Sequence, residues 1–267
     1  VIVNVPVTIT AQPSSITVTE GEMMTLSVAA TGTGPLSYQW FRSATPISGA
    51  TGADYVLGAT AASDAGDYSV TITNVAGTQA SSTASVTVNV PVSITTQPVG
   101  LVVTNGSAIH LFVTAKGTGP ITYQWYKNGI LVPDAISSTL DITSAAASNV
   151  GNYTVKISNI LGSRESASAN VAVNFPAIIV GSPVAVTVSK RQAISLSVRA
   201  EGTAPISYQW SKDGVDILGA KAAFFSIDSA SLADAGSYSV NVNNVVGIAK
   251  ATLPVPVVVL DRDVTLT

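Results

Sequence analysis

The three tryptophans of this chain, spaced 85 residues apart, constrain its fold more than any other feature. Each closes the same phrase: Tyr38-Gln39-Trp40, Tyr123-Gln124-Trp125 and Tyr208-Gln209-Trp210. Pro35, Pro120 and Pro205 keep the interval, as do Gly66, Gly151 and Gly236, Tyr68, Tyr153 and Tyr238, and Asn74, Asn159 and Asn244. An unbroken period of this size means tandem domains, each large enough to bury one modest core, and a task carried out by the array.

Within a repeat the hydrophobic period is two. Leu26, Val28 and Ala30 alternate with Thr25, Ser27 and Ala29, and Leu36, Tyr38 and Trp40 share one face of the next strand. The second and third repeats leave that strand through Asn128-Gly129 and Asp213-Gly214, dipeptides that tolerate the positive φ of a tight primed hairpin turn. The first repeat has Arg42-Ser43-Ala44-Thr45-Pro46 there, so a different turn is expected. Tyr68, Val70 and Ile72 face inward along a later strand, and Asn74-Val75-Ala76-Gly77 makes the last hairpin turn. No window of a dozen residues keeps helical spacing; stretches such as Ala59 to Ala65 hold at most one short turn. Seven or more short strands per repeat, divided by Gly, Pro and Asn turns, describe a two-sheet sandwich.

The recurring phrases resemble the immunoglobulin-like domain of the intermediate, cell-adhesion type. Trp40, Trp125 and Trp210 occupy the place of its core tryptophan. Asp64-Ala65-Gly66-Asp67-Tyr68, Asn149-Val150-Gly151-Asn152-Tyr153 and Asp234-Ala235-Gly236-Ser237-Tyr238 match the phrase that ends in its tyrosine corner. The family's disulfide is missing: its two cysteine positions fall on Val28 and Val70, Val113 and Val155, and Val198 and Val240. A lost bridge costs about 2–5 kcal/mol, and each buried valine returns roughly 1.5–3 kcal/mol. The resemblance implies an all-β chain of three tandem immunoglobulin-like β-sandwiches arranged as an extended rod. Cysteine-free arrays with this strand look like those of large secreted or surface proteins of bacteria, and a bacterial origin is the expectation.

The expected units are 7–90, 91–175 and 176–260, with 1–6 the last strand of a preceding domain and 261–267 the start of a following one. Val86 to Ile94 and Val171 to Ile179 run from strand to strand with no glycine-serine linker, so stiff junctions are expected at Pro91 and Pro176.

Composition excludes several functions. The formal net charge is −3 with no basic cluster, so no surface for nucleic acid assembles. The longest apolar runs, such as Val255 to Leu260, are far below membrane-spanning length. Cysteine is absent, which suits a reducing compartment, yet long Thr/Ser/Val-rich sheet arrays serve outside a cell, and an extracellular or cell-surface location is expected.

No residue set supports catalysis, a cofactor or a metal. His110 is the only histidine and falls on a solvent-facing position. Asp64 and Asp67 are replaced by Asn149 and Asn152, then by Asp234 and Ser237, which fits turn-bonding residues rather than calcium ligands. Asp261-Arg262-Asp263 is the one acidic group at a junction, suited to a cation or a salt bridge. Tyr38, Tyr123 and Tyr208 read as core rather than sugar-stacking residues. The leading expectation is a non-catalytic structural or adhesive segment, a rigid spacer, of a large extracellular bacterial surface protein. Its partners would be further domains of the same chain, other copies, a surface protein or a glycan. A second reading is the subunit region of a self-assembling surface filament or layer, because edge strands rich in β-formers carry few protecting charges. A third is a carbohydrate-binding accessory array of a secreted enzyme.

Overall fold

The computed structural model describes residues 3–248 and 251–261, and among these the chain is all-β apart from three single turns of 3₁₀ helix, Ala62–Asp64, Ala147–Asn149 and Leu232–Asp234. The expected strand at 1–6 lies partly outside the described residues, with Val3 and Asn4 in no strand; of the expected start at 261–267 only Asp261 is described.

The first repeat defines the pattern. Its strands are β1 (Thr8–Ala11), β2 (Ile16–Thr19), β3 (Met24–Ser27), β4 (Ala29–Thr31), β5 (Ser37–Arg42), β6 (Thr45–Pro46), β7 (Asp54–Leu57), β8 (Gly66–Asn74), β9 (Gly77–Ala80) and β10 (Ala84–Asn89). The larger sheet runs β2-β10-β8-β5-β6, with β9 also on β8 and only the β2–β10 pair parallel. The smaller sheet consists of two two-stranded ladders, β1 against β4 and β3 against β7, joined where β3 runs through Val28 into β4. The same order recurs in the other two repeats.

Alternation explains why two sheets close on one core. In β3, Met24 and Leu26 are buried while Thr25 and Ser27 face water; in β8, Tyr68, Val70 and Ile72 are buried. Burying one side chain in two along both sheets makes a sandwich filled from each inner face. Each repeat has its own core cluster around its tryptophan.

One expectation is corrected. The first repeat keeps the same two-residue turn as the others: Ser43 and Ala44 adopt φ of 44° and 66°, against 49° and 78° at Asn128-Gly129 and 50° and 83° at Asp213-Gly214. The twist of β5 and β6 selects the primed turn. The ladder from Phe41–Pro46 to Arg42–Thr45 therefore holds a serine and an alanine in a left-handed conformation that side chains disfavour.

Candidate functional site

The structure places the twelve sequence-selected residues at the centre of the three domains. Val28, Trp40, Tyr68 and Val70 share one core cluster; Val113, Trp125, Tyr153 and Val155 share the next, and Val198, Trp210, Tyr238 and Val240 the third. Each tryptophan stands directly opposite a valine of the neighbouring strand: Trp40 and Val70, Trp125 and Val155, Trp210 and Val240. The buried indole N–H needs an acceptor, and it donates to Gly52 O, Ser137 O and Ala222 O at 2.9–3.0 Å. Each tyrosine hydroxyl donates to the carbonyl four residues upstream, at Asp64, Asn149 and Asp234, over 2.8–2.9 Å. Burial pushes the Tyr153 and Tyr238 hydroxyls above the usual phenol range.

The glutamine of the Tyr-Gln-Trp phrase has a task that the alternation pattern does not reveal. Gln39 Nε2 donates to Ile47 O, Gln124 to Val132 O and Gln209 to Ile217 O, all at 2.8–2.9 Å, tying down the segment that follows the hairpin. Its recurrence at the full period was the available signal.

The junctions are built with the same economy. The carbonyl of Asn89 accepts from Glu20 N–H at 2.8 Å, in the first domain, while the N–H of Val90 donates to Thr118 Oγ1 at 2.7 Å, in the second. These two groups belong to one planar peptide unit. Two domains thus grip opposite sides of a single peptide, with no free residue between them. Val90 O then accepts from Thr118 N–H and from Asn159 Nδ2, both at 2.9 Å. The next junction repeats the arrangement: Asn174 O accepts from Asn105 N–H at 2.8 Å and Phe175 N–H donates to Thr203 Oγ1 at 2.7 Å. Phe175 O accepts from Thr203 N–H at 3.1 Å and Asn244 Nδ2 at 2.7 Å. Val5, Thr33 and Asn74 repeat the half of this clamp that the following domain supplies.

A glycine makes the close approach possible. A Cβ at Gly202 would lie 2.8 Å from Pro176 O, and one at Gly117 would lie 3.0 Å from Val92 Cα, with φ at +146° and +152°. Thr33, Thr118 and Thr203 escaped notice in the sequence because their turn reads as a simple strand break. Asn74, Asn159 and Asn244 read as turn residues, and their Oδ1 does cap the hairpin N–H of Ala76, Leu161 and Val246; the amide nitrogen does the second job.

The remaining candidates are structural. Asp64 accepts from Ala61 N–H at 2.9 Å and pairs with Arg42 at 2.9 Å. Asp234 accepts from the hydroxyl and N–H of Ser231, which holds its carboxyl below the usual carboxylate range. His110 is exposed and hydrogen-bonded through Nδ1 to Asp141, whose carboxyl that bond lowers. Asp261 lies 3.5 Å from Lys190; Arg262 and Asp263 lie outside the described residues. Tyr38, Tyr123 and Tyr208 are half-buried against their cores. Among the described residues no three His, Cys, Asp or Glu side chains gather to hold a metal, and no helix is long and apolar enough to cross a membrane.

A repeated tryptophan–valine core, a tyrosine corner and this sheet order define a tandem array of immunoglobulin-fold domains. The chain belongs to the immunoglobulin domain family: the immunoglobulin domain matches residues 6–74 and 91–159, and the immunoglobulin I-set domain matches 177–257. Hemicentin-2 of Mus musculus is 30% identical over 91% of this chain, which spans only 5% of that protein's length. The decoration protein of Escherichia phage T5 is 47% identical over 78 residues, 28% of this chain and 48% of that protein. The solved I67–I69 fragment of the titin I-band superposes with a TM-score of 0.69 over 97% of this chain and 99% of that fragment, at 22% identity, a likeness of fold. The hemicentins and the peroxidasin homolog that match more than nine-tenths of this chain are mouse and human proteins. They overturn the expectation of bacterial tandem domains, and with it that of a spacer in a bacterial surface protein: missing cysteines and a Tyr-Gln-Trp strand report how the core is packed, not the kind of organism.

Proposed function

We propose that these residues form a non-catalytic, extracellular or cell-surface array of three immunoglobulin domains, 7–90, 91–175 and 176–260, whose copies associate side by side in a filament or layer. The observation that carries this reading is the clamp repeated at each junction, in which one peptide unit is held from both sides. Three hydrogen bonds to each pre-proline residue, at roughly 0.5–1.5 kcal/mol apiece, favour one relative placement of neighbouring domains. Copies of one fixed shape can pack repeatedly; copies that bend freely cannot. The likeness of about one repeat to a protein named for decoration agrees with domains that sit on an assembly.

Sedimentation of the purified chain over a hundredfold concentration range tests the proposal. The average mass is expected to rise with concentration. A strict monomer throughout would overturn it.

A further inference from the structure

In each domain the smaller sheet stops one strand early. After β6 the chain returns along β5, where Trp40 N–H donates to Ala50 O, and then enters β7 directly, so β7 pairs only with β3. Its counterparts Thr139–Ile142 and Phe224–Ile227 are likewise paired on one side only. The phase of each ladder follows from a single bond at its end: Val28 N–H donates to Ala53 O, Val113 N–H to Ser138 O and Val198 N–H to Ala223 O. Hydrogen-bonded and non-bonded pairs alternate along an antiparallel ladder. Asp54 and Val56, Thr139 and Asp141, and Phe224 and Ser226 therefore turn their N–H and C=O groups away from the sheet, toward water.

The three open edges share this geometry and differ in chemistry. The first carries Asp54 on its outer face, and the second carries Asp141, tied to His110. No lysine or arginine lies between residues 51 and 58 or between 136 and 143. Pairing either edge with its own copy would put two carboxylates into one ladder, where like charges destabilise. The third edge has Phe224, 63% exposed, beside Ser226, and no charge within the strand. Exposed Lys221 precedes it and exposed Asp228 follows it, and neither makes an ion pair within the described residues.

We propose that two copies of the chain join through the strand Phe224–Ile227, antiparallel about a two-fold axis, so that the smaller sheet of the third domain continues from one copy into the other. This rests on the reading that copies associate. A closed two-fold pairing through one strand edge is antiparallel and self-complementary. Centred on Phe225, it sets Phe224 against the partner's Ser226 twice, and each pair exchanges two backbone hydrogen bonds. The same register sets Lys221 opposite the partner's Ser229 at both ends, one position from the partner's Asp228, so the flanking charges come within a lysine's reach and attract. The first two domains have Thr51 and Gly58, then Ile136 and Thr143, at these flanking places, and an acid within the strand, so they cannot make this match.

The test is sedimentation of the whole chain as wild type, Phe224→Lys, Lys221→Asp, Asp228→Lys and the combined exchange of the last two. A dimer is expected that Phe224→Lys weakens at least tenfold and that each single charge change weakens. The combined exchange should restore it, which a damaged fold could not do. Val56→Lys, on the equivalent edge of the first domain, should leave the dimer intact. A dimer indifferent to Phe224→Lys, or charge changes that the exchange does not rescue, would overturn the strand assignment and leave association standing. A monomer at every concentration would overturn both.

Discussion

At the scale of the residue, this family's bridge is replaced by packing. Val70 is fully buried and Val28 nearly so, both in the core of Trp40, so their methyl groups do by contact what a covalent bond does elsewhere. Val70→Ala removes two methyl groups and leaves a cavity, and the expected loss is about 2–3 kcal/mol by transfer and cavity costs together. Chemical denaturation of the whole chain would register it as an earlier transition of the first domain alone, since each repeat has a separate core cluster. A change below about half a kcal/mol would mean that the core closes over the gap, and the valines would then be fillers rather than a substitute for the bridge.

At the scale of the element, the hairpin of the first repeat shows how tertiary context overrides local preference. Ser43-Ala44 is no turn signal, and the sequence led to a different turn, yet β5 and β6 impose the same left-handed pair found at Asn128-Gly129. Ala44→Gly is expected to stabilise the first domain by roughly 0.5–1 kcal/mol, because relief of a strained φ outweighs the added freedom of the unfolded chain. Thermal unfolding should show that domain's transition rise, and a fall would mean the turn is relaxed as it stands. The strands and the inward tryptophans and tyrosines were legible because alternation and an 85-residue period express burial directly. The clamp by Thr118 and Asn159, and the hold of Gln124 on Val132 O, were not. Such side-chain to backbone bonds, spanning 28, 69 and 8 positions, follow no hydrophobic period and leave no local pattern. The open edge at Phe224–Ile227 was hidden for another reason: periodicity predicts strands, while a missing neighbour is a property of topology.

At the scale of the whole molecule, the question is how far the clamped junctions keep three domains in line. Sandwiches about 35–40 Å long by strand rise, placed end to end, give a maximum dimension of roughly 110–120 Å. Small-angle scattering of residues 1–267 at low concentration is expected to return that value, with a distance distribution characteristic of a rod. The decisive comparison is a variant that opens one junction. Thr118→Val removes the acceptor for Val90 N–H, and Asn159→Ala removes a donor to Val90 O, leaving the Thr118 N–H bond as the remaining hold on that residue. Asn159→Ala also uncaps the turn at Leu161, so a loss of roughly 1–3 kcal/mol in the second domain accompanies it. That loss is read separately by denaturation, which leaves the scattering of the folded variant to report the junction. The expected result is a shorter mean extension and a broader distribution. An unchanged profile would place the stiffness in Pro91 and the packing around it, because proline restricts the backbone whether or not the clamp is closed.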